Sequence, residues 1–369
     1  MHLYTHIPFC ASKCAYCGFY SIPARPETLG AYPGWLFREY GALLRRYPAC
    51  AVQPETWYLG GGTPSLLGRE GFLRLAELFS GAFDLSRLRE WSVEMNPSSV
   101  TPELLETLRG IGVNRISLGV QSFDSGVLAR IGRRHTVEEV HRALGLILEA
   151  GFDDTGIDLI VGLPAESDLS WRRTLEETLS YPLTHLSVYT LSIEPKTRLA
   201  LEVGKGVWRP RDDDFLLDRI ARTEAVLASA GYVRYEISNY ARPGFGCRHN
   251  LGVWRGEEYL GLGPSAASRI GLERWTRARD LRGYIKALSE GRLPPDLSRD
   301  TLSPEEDRSE RALFRLRLRE GIPGREVRPE WRKQFESLEK LGIAERTGDG
   351  WRLTARGWEV CDAVLERLV

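Results

Sequence analysis

The sequence predicts an α/β fold in which parallel strands and helices alternate to form a partial, TIM-like barrel. Short apolar runs alternate with helix-patterned stretches from residue 3 to about residue 191, as expected for strands joined by crossover helices. This unit occurs six times, which is too few for a closed eight-stranded barrel. Polar and glycine-rich segments follow the strands, at the sheet edge where such folds build binding sites. We therefore expect a partial (βα)6 barrel with its site at the carboxyl ends of the strands.

The predicted strands are short apolar runs. We place them at residues 3–6, 56–59, 90–95, 115–120, 157–161 and 185–189. Helices are expected between them wherever apolar residues recur at helical spacing, and several end near Gly or Pro, which terminate helices. The predicted helices cover residues 35–47, 70–81, 102–110, 137–150 and 171–179.

The strand–helix rhythm ends after residue 191. A helix is predicted at 215–230 and a strand at 233–238, and the stretch from Pro294 to Pro304 is typical of a linker. The remaining residues predict a helical module similar to a winged helix, with helices at 305–319, about 326–335 and 357–368, a turn at Gly342 and a hairpin over 344–353. We therefore expect a barrel over residues 1–191, an extension packed on it over 192–298, and a C-terminal winged-helix-like domain over 299–369.

Charge and hydropathy exclude several classes of protein. Lys+Arg 50 and Asp+Glu 50 balance to a formal net charge of +0, so the chain has no overall positive field for nucleic acid or anionic lipid. No apolar run is long enough to cross a membrane, and no secretory signal follows Met1. We expect a soluble, cytoplasmic protein without a transmembrane segment, for which only peripheral membrane contact stays open.

Three of the six cysteines are clustered. Cys10, Cys14 and Cys17 form a C-x3-C-x2-C pattern directly after the first predicted strand. Three thiolates at this spacing can hold a 4Fe–4S cluster and leave its fourth iron free for another ligand. A zinc site with His6 as the fourth ligand is an alternative, although structural zinc usually takes paired cysteines. Purely structural buried thiols fit less well, because the residues between the cysteines include polar ones typical of an exposed loop.

The segment CASKCAYC, residues 10–17, carries an aromatic residue before its last cysteine. It resembles the signature of the radical S-adenosylmethionine (SAM) superfamily. The resemblance implies that Cys10, Cys14 and Cys17 hold a 4Fe–4S cluster whose open iron is chelated by the methionyl group of SAM. It also implies reductive cleavage of SAM to a 5′-deoxyadenosyl radical.

Further segments are similar, in order and spacing, to the oxygen-independent coproporphyrinogen III oxidase-like family. They are YTHIPFC (4–10), LGGGTPS (59–65), VEMNP (93–97), SLGVQSF (117–123) and GIDLIVGLP (156–164). The resemblance covers nearly the whole chain. It implies that SAM is contacted by Tyr4, Gly61, Gly62, Thr63, Glu94, Gln121, Arg133 and Asp158.

The chemistry of these residues suits SAM. The glycines at 60–62 would let backbone groups approach the methionyl ammonium, although a tight strand-to-helix turn alone also explains a glycine run. Glu94 can bind the ammonium or the ribose, and Arg133 can pair with the methionyl carboxylate through two hydrogen bonds. Gln121 and Asp158 offer partners for the ribose hydroxyls.

Three features favour the heme-chaperone (HemW-type) branch of that family over its decarboxylating oxidase branch. Phe19 stands where the oxidase has a fourth cysteine, and Cys10 is too near the start of the chain for the oxidase's long N-terminal arm. The segment CRHNLGVW, residues 247–254, resembles the chaperone's His-Asn-x-x-Tyr-Trp motif. The resemblance implies a protein that binds the cluster, SAM and heme, cleaves SAM, and delivers heme to acceptor apoproteins. The alternative is the oxidase of porphyrin biosynthesis.

His249 in this motif is the candidate heme ligand, because a neutral imidazole suits heme iron. Two alternatives stay open: a histidine whose hydrogen bonds are satisfied at a domain junction, and Cys247 as the ligand. The motif is incomplete, since Val253 replaces its Tyr and PSAA at residues 264–267 replaces the usual AGAH.

The first helix of the C-terminal module is rich in arginine, which raises the possibility of a nucleic-acid partner. Acidic residues alternate with those arginines, a pattern typical of a solvated face with ion pairs. We therefore expect no nucleic-acid binding, and a module that covers the barrel mouth or meets an acceptor protein.

Overall fold

One sheet of twelve strands forms the centre of the molecule in the computed structural model, which describes residues 1–368. The strands of the described residues are β1 (His2–Ile7), β2 (Phe9–Cys10), β3 (Ile22–Pro23), β4 (Thr56–Gly61), β5 (Glu90–Met95), β6 (Arg115–Gln121), β7 (Asp154–Val161), β8 (His185–Thr190), β9 (Val233–Arg234), β10 (Asn239–Ala241), β11 (Tyr259–Leu262), β12 (Ala267–Ile270), β13 (Glu273–Arg277), β14 (Asp296–Thr301), β15 (Ala344–Thr347) and β16 (Gly350–Leu353). Of these sixteen strands, β2 with β3 and β15 with β16 make two separate two-stranded sheets. Six strands of the large sheet lie side by side and parallel in the order β1-β4-β5-β6-β7-β8. These six contain the six predicted strands, so the predicted partial (βα)6 barrel is confirmed.

Helices connect the six parallel strands of the barrel, and further helices of the described residues follow β8. In chain order they are α1 (Pro26–Arg46), α2 (Gly68–Ser80), α3 (Pro102–Gly110), α4 (Ser125–Arg130), α5 (Val137–Glu149), α6 (Asp168–Leu179), α7 (Arg198–Gly204), α8 (Asp213–Ser229), α9 (Arg248–Trp254), α10 (Leu281–Ser289), α11 (Pro304–Phe314), α12 (Arg332–Lys340), α13 (Ala355–Glu359) and α14 (Cys361–Leu368). The helices that connect the strands of the barrel are α1 to α6. The largest difference from the sequence prediction is α1, which begins at Pro26 and continues through Pro33 rather than starting at residue 35. Pro26 occupies the first helical turn, where a missing N–H costs nothing. Pro33 is buried in the third turn, where it removes one backbone hydrogen bond but does not end the helix.

Aromatic residues fill the space between the sheet and the helices on its outer face. Trp57 on β4 stacks on Trp91 on β5 with ring centroids 4.7 Å apart, and both side chains are fully buried. Phe79 of α2 packs 4.8 Å from Trp57. The stabilisation gained from buried apolar side chains is roughly proportional to the area that they remove from water. This layer of aromatic rings therefore holds the strands against their helices.

The second half of the chain extends the same sheet at both edges. β11 runs parallel to β1, and β12, β13 and β14 follow it as antiparallel strands. The predicted linker between Pro294 and Pro304 is therefore wrong, because β14 lies within it. β14 is an edge strand whose side chains are mostly polar, and Leu297 is 61% exposed, so it lacks the apolar alternation by which strands are recognised.

The C-terminal module has its own hydrophobic core, in which Phe335 and Trp351 stack with centroids 5.4 Å apart. Its hairpin of β15 and β16 covers the predicted residues. All three predicted helices differ in their bounds. The first ends at Phe314 and continues as a 3-10 turn. The second, predicted at about 326–335, is α12 at Arg332–Lys340, preceded by 3-10 turns, and the last is divided between α13 and α14. Residue 369 lies outside the described part of the chain.

The module is attached to the barrel away from the carboxyl ends of the strands. Segments 235–237 and 317–319 pair through two backbone hydrogen bonds of 2.9 and 3.1 Å. Arg269 of β12 forms an ion pair of 2.7 Å with Asp307 of α11. The module therefore does not cover the barrel mouth, and the expected boundary at residues 298/299 falls inside β14. Within residues 1–368 we find no helix with the length and apolar character needed to cross a membrane.

Candidate functional site

A cavity with about 1030 Å³ of empty space opens at the carboxyl ends of the parallel strands. It is formed by the loop after β1 together with the ends of β4, β5, β6 and β7. Nine of the predicted site residues line it: Cys10, Cys14, Cys17, Gly61, Gly62, Thr63, Glu94, Arg133 and Asp158. The loop residues Ser12, Lys13 and Tyr16, which the sequence analysis did not assign, line it as well.

The cysteine loop is held open toward the cavity by contacts outside the cysteines. All three thiols are free and half-buried, and Thr63 Oγ1 lies 3.6 Å from Cys10 Sγ. Lys13 Nζ donates to the carbonyl of Phe19 and, at 3.0 Å, to Ser21 Oγ, which closes the loop. Burial raises the pKa of the Cys17 thiol. Three thiols presented together on one loop fit a 4Fe–4S cluster with one iron left open.

His6 is not available as a fourth zinc ligand. Its Nε2 donates to the carbonyl of Tyr20 at 2.8 Å, and its Nδ1 accepts from the Tyr4 hydroxyl at 3.1 Å. Burial lowers its pKa to about 4, so the ring stays neutral. Because both ring nitrogens are already bonded, the donor set favours the cluster over the zinc alternative.

The glycine run brings the end of β4 close to the residues that lead into the cysteine loop. A Cβ on Gly61, whose φ is +104°, would lie 2.4 Å from the His6 ring. A Cβ on Gly62 would lie 2.7 Å from the carbonyl oxygens of Ile7 and Phe9. The glycines are therefore required first by the protein's own packing, and not only by a ligand that approaches the backbone.

Two carboxylates form the polar floor of the cavity. Glu94 accepts hydrogen bonds from the Tyr58 hydroxyl at 2.8 Å and from the Gly61 N–H at 3.1 Å. Burial and the neighbouring charge of Asp158 raise the pKa of Glu94 to about 7. Burial also raises the pKa of Asp158, although Ser117 donates to it at 3.1 Å. Such a pair gains from a cationic ligand, since a positive charge between two buried carboxylates reduces their repulsion.

Arg133 supplies the complementary positive charge. It lines the same cavity, and its Nε is buried without a hydrogen-bond partner in the described residues. A Cβ on Gly119 would lie 3.2 Å from its Nη2, so the small residue on β6 leaves room for the guanidinium. A buried N–H without a partner is costly, and a ligand carboxylate would satisfy it. The cavity therefore fits an amino-acid group whose carboxylate binds Arg133 and whose ammonium binds Glu94 and Asp158.

Tyr4 and Gln121 do not line the cavity. The Tyr4 hydroxyl is engaged by His6, and burial raises its pKa. Gln121 is buried, with a φ of 72° at an irregularity in the pairing of β6 with β7. Their contact with SAM stays a prediction. Tyr58, which the sequence analysis missed, could have been found from strand alternation, because it points to the same side of β4 as Gly60.

His249 lies at the opposite end of the barrel. It is 5% exposed, its Nδ1 is 3.0 Å from Thr56 Oγ1 at the start of β4, and its ring stacks on Tyr58 at 5.2 Å. Burial lowers its pKa to about 3. One ring nitrogen is therefore bonded within the junction, and no hydrogen bond of the described residues engages Nε2. The assignment of His249 as a heme ligand stays a prediction.

Cys247 is equally inaccessible. Its thiol is 2% exposed and donates to Glu90 at 3.3 Å, and burial raises its pKa well above the ordinary value. Glu90 also accepts the backbone N–H groups of Arg248 and His249, at 2.7 and 3.1 Å, and so caps α9. Helix α9 therefore closes the floor of the barrel, which we define as the amino-terminal ends of β1, β4 and β5.

Comparisons with known proteins agree with this geometry. The family profile of the Radical SAM superfamily matches residues 4–178. The heme chaperone HemW of Mycobacterium tuberculosis is 36% identical over 374 residues, which cover 100% of this chain and 94% of that protein. HemW of Escherichia coli is 32% identical over 386 residues, covering 99% and 97%. The coproporphyrinogen III oxidase HemN of E. coli has the same fold, with a TM-score of 0.82 and 24% identity over 99% of this chain and 89% of that one.

Proposed function

This chain belongs to the HemW heme-chaperone family of radical SAM proteins, and we propose that it binds a 4Fe–4S cluster, SAM and heme and passes heme to acceptor apoproteins. The observation that carries the proposal is the convergence of three free cysteines, two half-buried carboxylates and an arginine whose Nε has no partner in the described residues on one cavity of a chain that matches heme chaperones from end to end. A location in the cytoplasm and the identity of the acceptors as apoproteins belong to the same proposal.

Each cavity residue has a distinct part in this function. Cys10, Cys14 and Cys17 hold the cluster as thiolates, and Arg133 binds the methionyl carboxylate of SAM. Glu94 takes the methionyl ammonium, which favours its ionised form. Asp158 accepts hydrogen bonds from the ribose hydroxyls. When bound, the cluster and SAM would supply the chemistry of one-electron reductive cleavage of SAM, which gives a 5′-deoxyadenosyl radical.

The oxidase is the second candidate, because HemN shares the fold over nearly the full chain. At 24% identity, this likeness shows that the two chains share a fold, and it does not show that they share an activity. At the position where the sequence comparison places a fourth oxidase cysteine, this chain has Phe19, which is 65% exposed beside the cluster loop. Heme chaperone function is therefore favoured over oxidation of a porphyrinogen.

Anaerobic reconstitution separates the two functions. The reconstituted protein is titrated with hemin while the Soret band is followed, and a parallel sample receives coproporphyrinogen III, SAM and reductant. We expect saturable heme binding at one site and no protoporphyrinogen. Steady formation of protoporphyrinogen would show that the protein is the oxidase and not the chaperone. A titration without a saturable Soret change would show that the protein does not bind heme, which would contradict the chaperone function.

A further inference from the structure

A second cavity lies between the barrel floor and the C-terminal module, at the end of the barrel opposite the cysteines. It is open to solvent, and the residues that decide its chemistry are Val233, Tyr235, Arg242, Arg248, Leu251 and Arg319. We propose that heme docks in this cavity, with its two propionates held by Arg242, Arg248 and Arg319. The inference rests on the proposed function and adds a place for the cargo.

The arginines of this cavity are not neutralised by the protein. Within residues 1–368 no carboxylate comes within ion-pair distance of the three named arginines, whereas Arg255 and Arg352 on the same walls pair with Glu320 and Glu345. Arg242 donates through Nε to the carbonyl of Leu183 at 3.0 Å and lies over the ring of Tyr232, 4.8 Å from its centroid, and these two contacts fix the direction of the guanidinium. The same walls carry Glu55, which pairs with Arg89, and Glu257, which is bonded to His2. In a chain of net charge +0, the three arginines without a carboxylate partner favour an anionic ligand.

The walls between the arginines are partly apolar. Val233 is 37% exposed here, and Leu251 and the ring of Tyr235 continue the surface. Small-molecule sites typically combine apolar walls with a few polar groups that fix orientation. A ligand with a large apolar body and carboxylates at one edge matches this distribution, and a porphyrin with two propionates is such a ligand. Guanidinium groups bind carboxylates in a planar, two-bond geometry.

Two parts of the molecule contribute the arginines. Arg319 comes from the module, and its backbone N–H donates to the Tyr235 carbonyl at 2.9 Å. Arg248 begins α9, where its N–H is fixed by Glu90 at 2.7 Å. A ligand bound to both would connect the module to the barrel floor, so heme binding should be visible as protection in both segments.

Zinc protoporphyrin IX and its dimethyl ester provide the test, because esterification removes the carboxylate charges and leaves the macrocycle. Fluorescence titration of the full-length protein with the free acid should saturate, and Arg242→Gln or Arg319→Gln should weaken binding about tenfold each. The ester should bind about a hundredfold more weakly than the acid. The matched control is Arg172→Gln on the outer helix α6, whose side chain is 70% exposed, and it should bind like the parent.

Hydrogen exchange gives an independent readout if a variant folds poorly. The free acid should protect the amides of 248–254 and 317–319 in the unsubstituted protein. Equal binding of acid and ester, unchanged affinity in both variants, or protection confined to the cysteine cavity would overturn the docking site while leaving heme binding itself intact. Absence of binding by any porphyrin would instead overturn the proposed function.

Discussion

Buried guanidinium groups seldom keep an N–H without a partner, yet the Nε of Arg133 has none in the part of the chain that the structure describes. The surrounding atoms explain why it is retained. Arg133 faces the same cavity as Glu94 and Asp158, so the three side chains together present one cationic and two anionic groups. This arrangement matches the opposite charges of a zwitterionic amino-acid group.

Arg133→Gln tests that match. The substitution keeps one polar end but removes the charge and the two-bond geometry, so SAM affinity of the anaerobically reconstituted protein should fall by about 2 kcal/mol. Equilibrium dialysis with labelled SAM measures the change. Arg134→Gln is the control, because Arg134 is exposed at the rim of the same cavity and should have little effect. If Arg133→Gln binds SAM as tightly as the unsubstituted protein does, the methionyl carboxylate must bind at another residue.

Replacement of any one of Cys10, Cys14 or Cys17 by Ala should remove most of the iron. The unsubstituted protein should hold about four irons per chain after reconstitution, the content of one 4Fe–4S cube. Iron analysis and the iron–sulfur absorbance measure this. Cys361→Ala is the control, since that thiol is buried in the core of the C-terminal module and should leave the cluster intact. Zinc at unit occupancy in place of iron would contradict the assignment.

Sequence patterns located residues well where chemistry and spacing coincide. The cysteines and Arg133 follow β1 and β6, and Glu94 and Asp158 lie on β5 and β7. Parallel strands bring their carboxyl ends to one edge. His249 could not be judged in this way, because its environment depends on Thr56 and Tyr58, which are distant in sequence. The orientation of a buried ring is set by tertiary packing that a local motif does not contain.

Among the elements, α9 carries the largest share of buried polar contacts at the barrel floor. Its amino end is capped by Glu90, and His249 is fixed by Thr56 and lies 5.8 Å from the ring of His2. A Cβ on Gly252 would lie 2.1 Å from His2, so the helix passes directly over that side chain. The floor is thus closed by the side chains of two histidines and their hydrogen-bond partners rather than by an apolar plug.

Acid should open this helix. The pKa of His249 is lowered to about 3 when buried, against an ordinary value of 6.5, so between these values only the opened state takes up the proton. Because only the opened state binds these protons, the free energy of opening falls progressively as the pH is lowered below 6.5. Lowering the pH from 7.5 to 5 should reduce the opening free energy of residues 248–254 by about 2 kcal/mol.

Hydrogen exchange of those amides, corrected for the intrinsic effect of pH, measures the change. His249→Gln cannot titrate in this range and should show a flatter dependence on pH. If the parent and His249→Gln respond equally to acid, then another group controls the floor.

Elements were predictable from sequence where local patterns dominate. β5 and α3 have the predicted bounds, because an apolar run and a capped amphipathic segment identify them. β14 was missed because its residues are polar and its pairing partner, β13, lies in a separate antiparallel extension. The start of α1 was missed because prolines usually mark the end of a helix, whereas here they lie in its first turns.

At the scale of the whole molecule, charged side chains hold the module against the sheet. Arg269 is 2% exposed and contacts both Asp307 and Glu310 of α11. Trp254 of α9 lies edge-on to Phe314, with centroids 6.0 Å apart. The contact therefore combines one buried ion-pair group with a small aromatic contact, in addition to the backbone pairing of 235–237 with 317–319.

Arg269→Gln should loosen this attachment. The substitution leaves the largely buried Asp307 with Arg311, at 2.8 Å, as its remaining cation. The loss of its second charged partner should cost about 1–3 kcal/mol. Limited proteolysis should then cleave sooner between β14 and α11. Arg274→Gln is the matched control, because Arg274 also pairs with Glu310 but its side chain is 42% exposed, where an ion pair contributes under about 1 kcal/mol. Equal proteolysis of the two variants would show that the buried pair does not control docking.

The first strand of the sheet gains its second neighbour late in protein synthesis. β1 pairs with β4 on one side and with β11 on the other. Ribosomes add about 5–20 residues per second, so the roughly 200 residues between β4 and β11 take on the order of 10–40 s. During that interval one edge of β1 stays open, and open strand edges can pair with other chains. The nascent chain therefore exposes an aggregation-prone edge beside its cysteine loop well before the sheet there is complete.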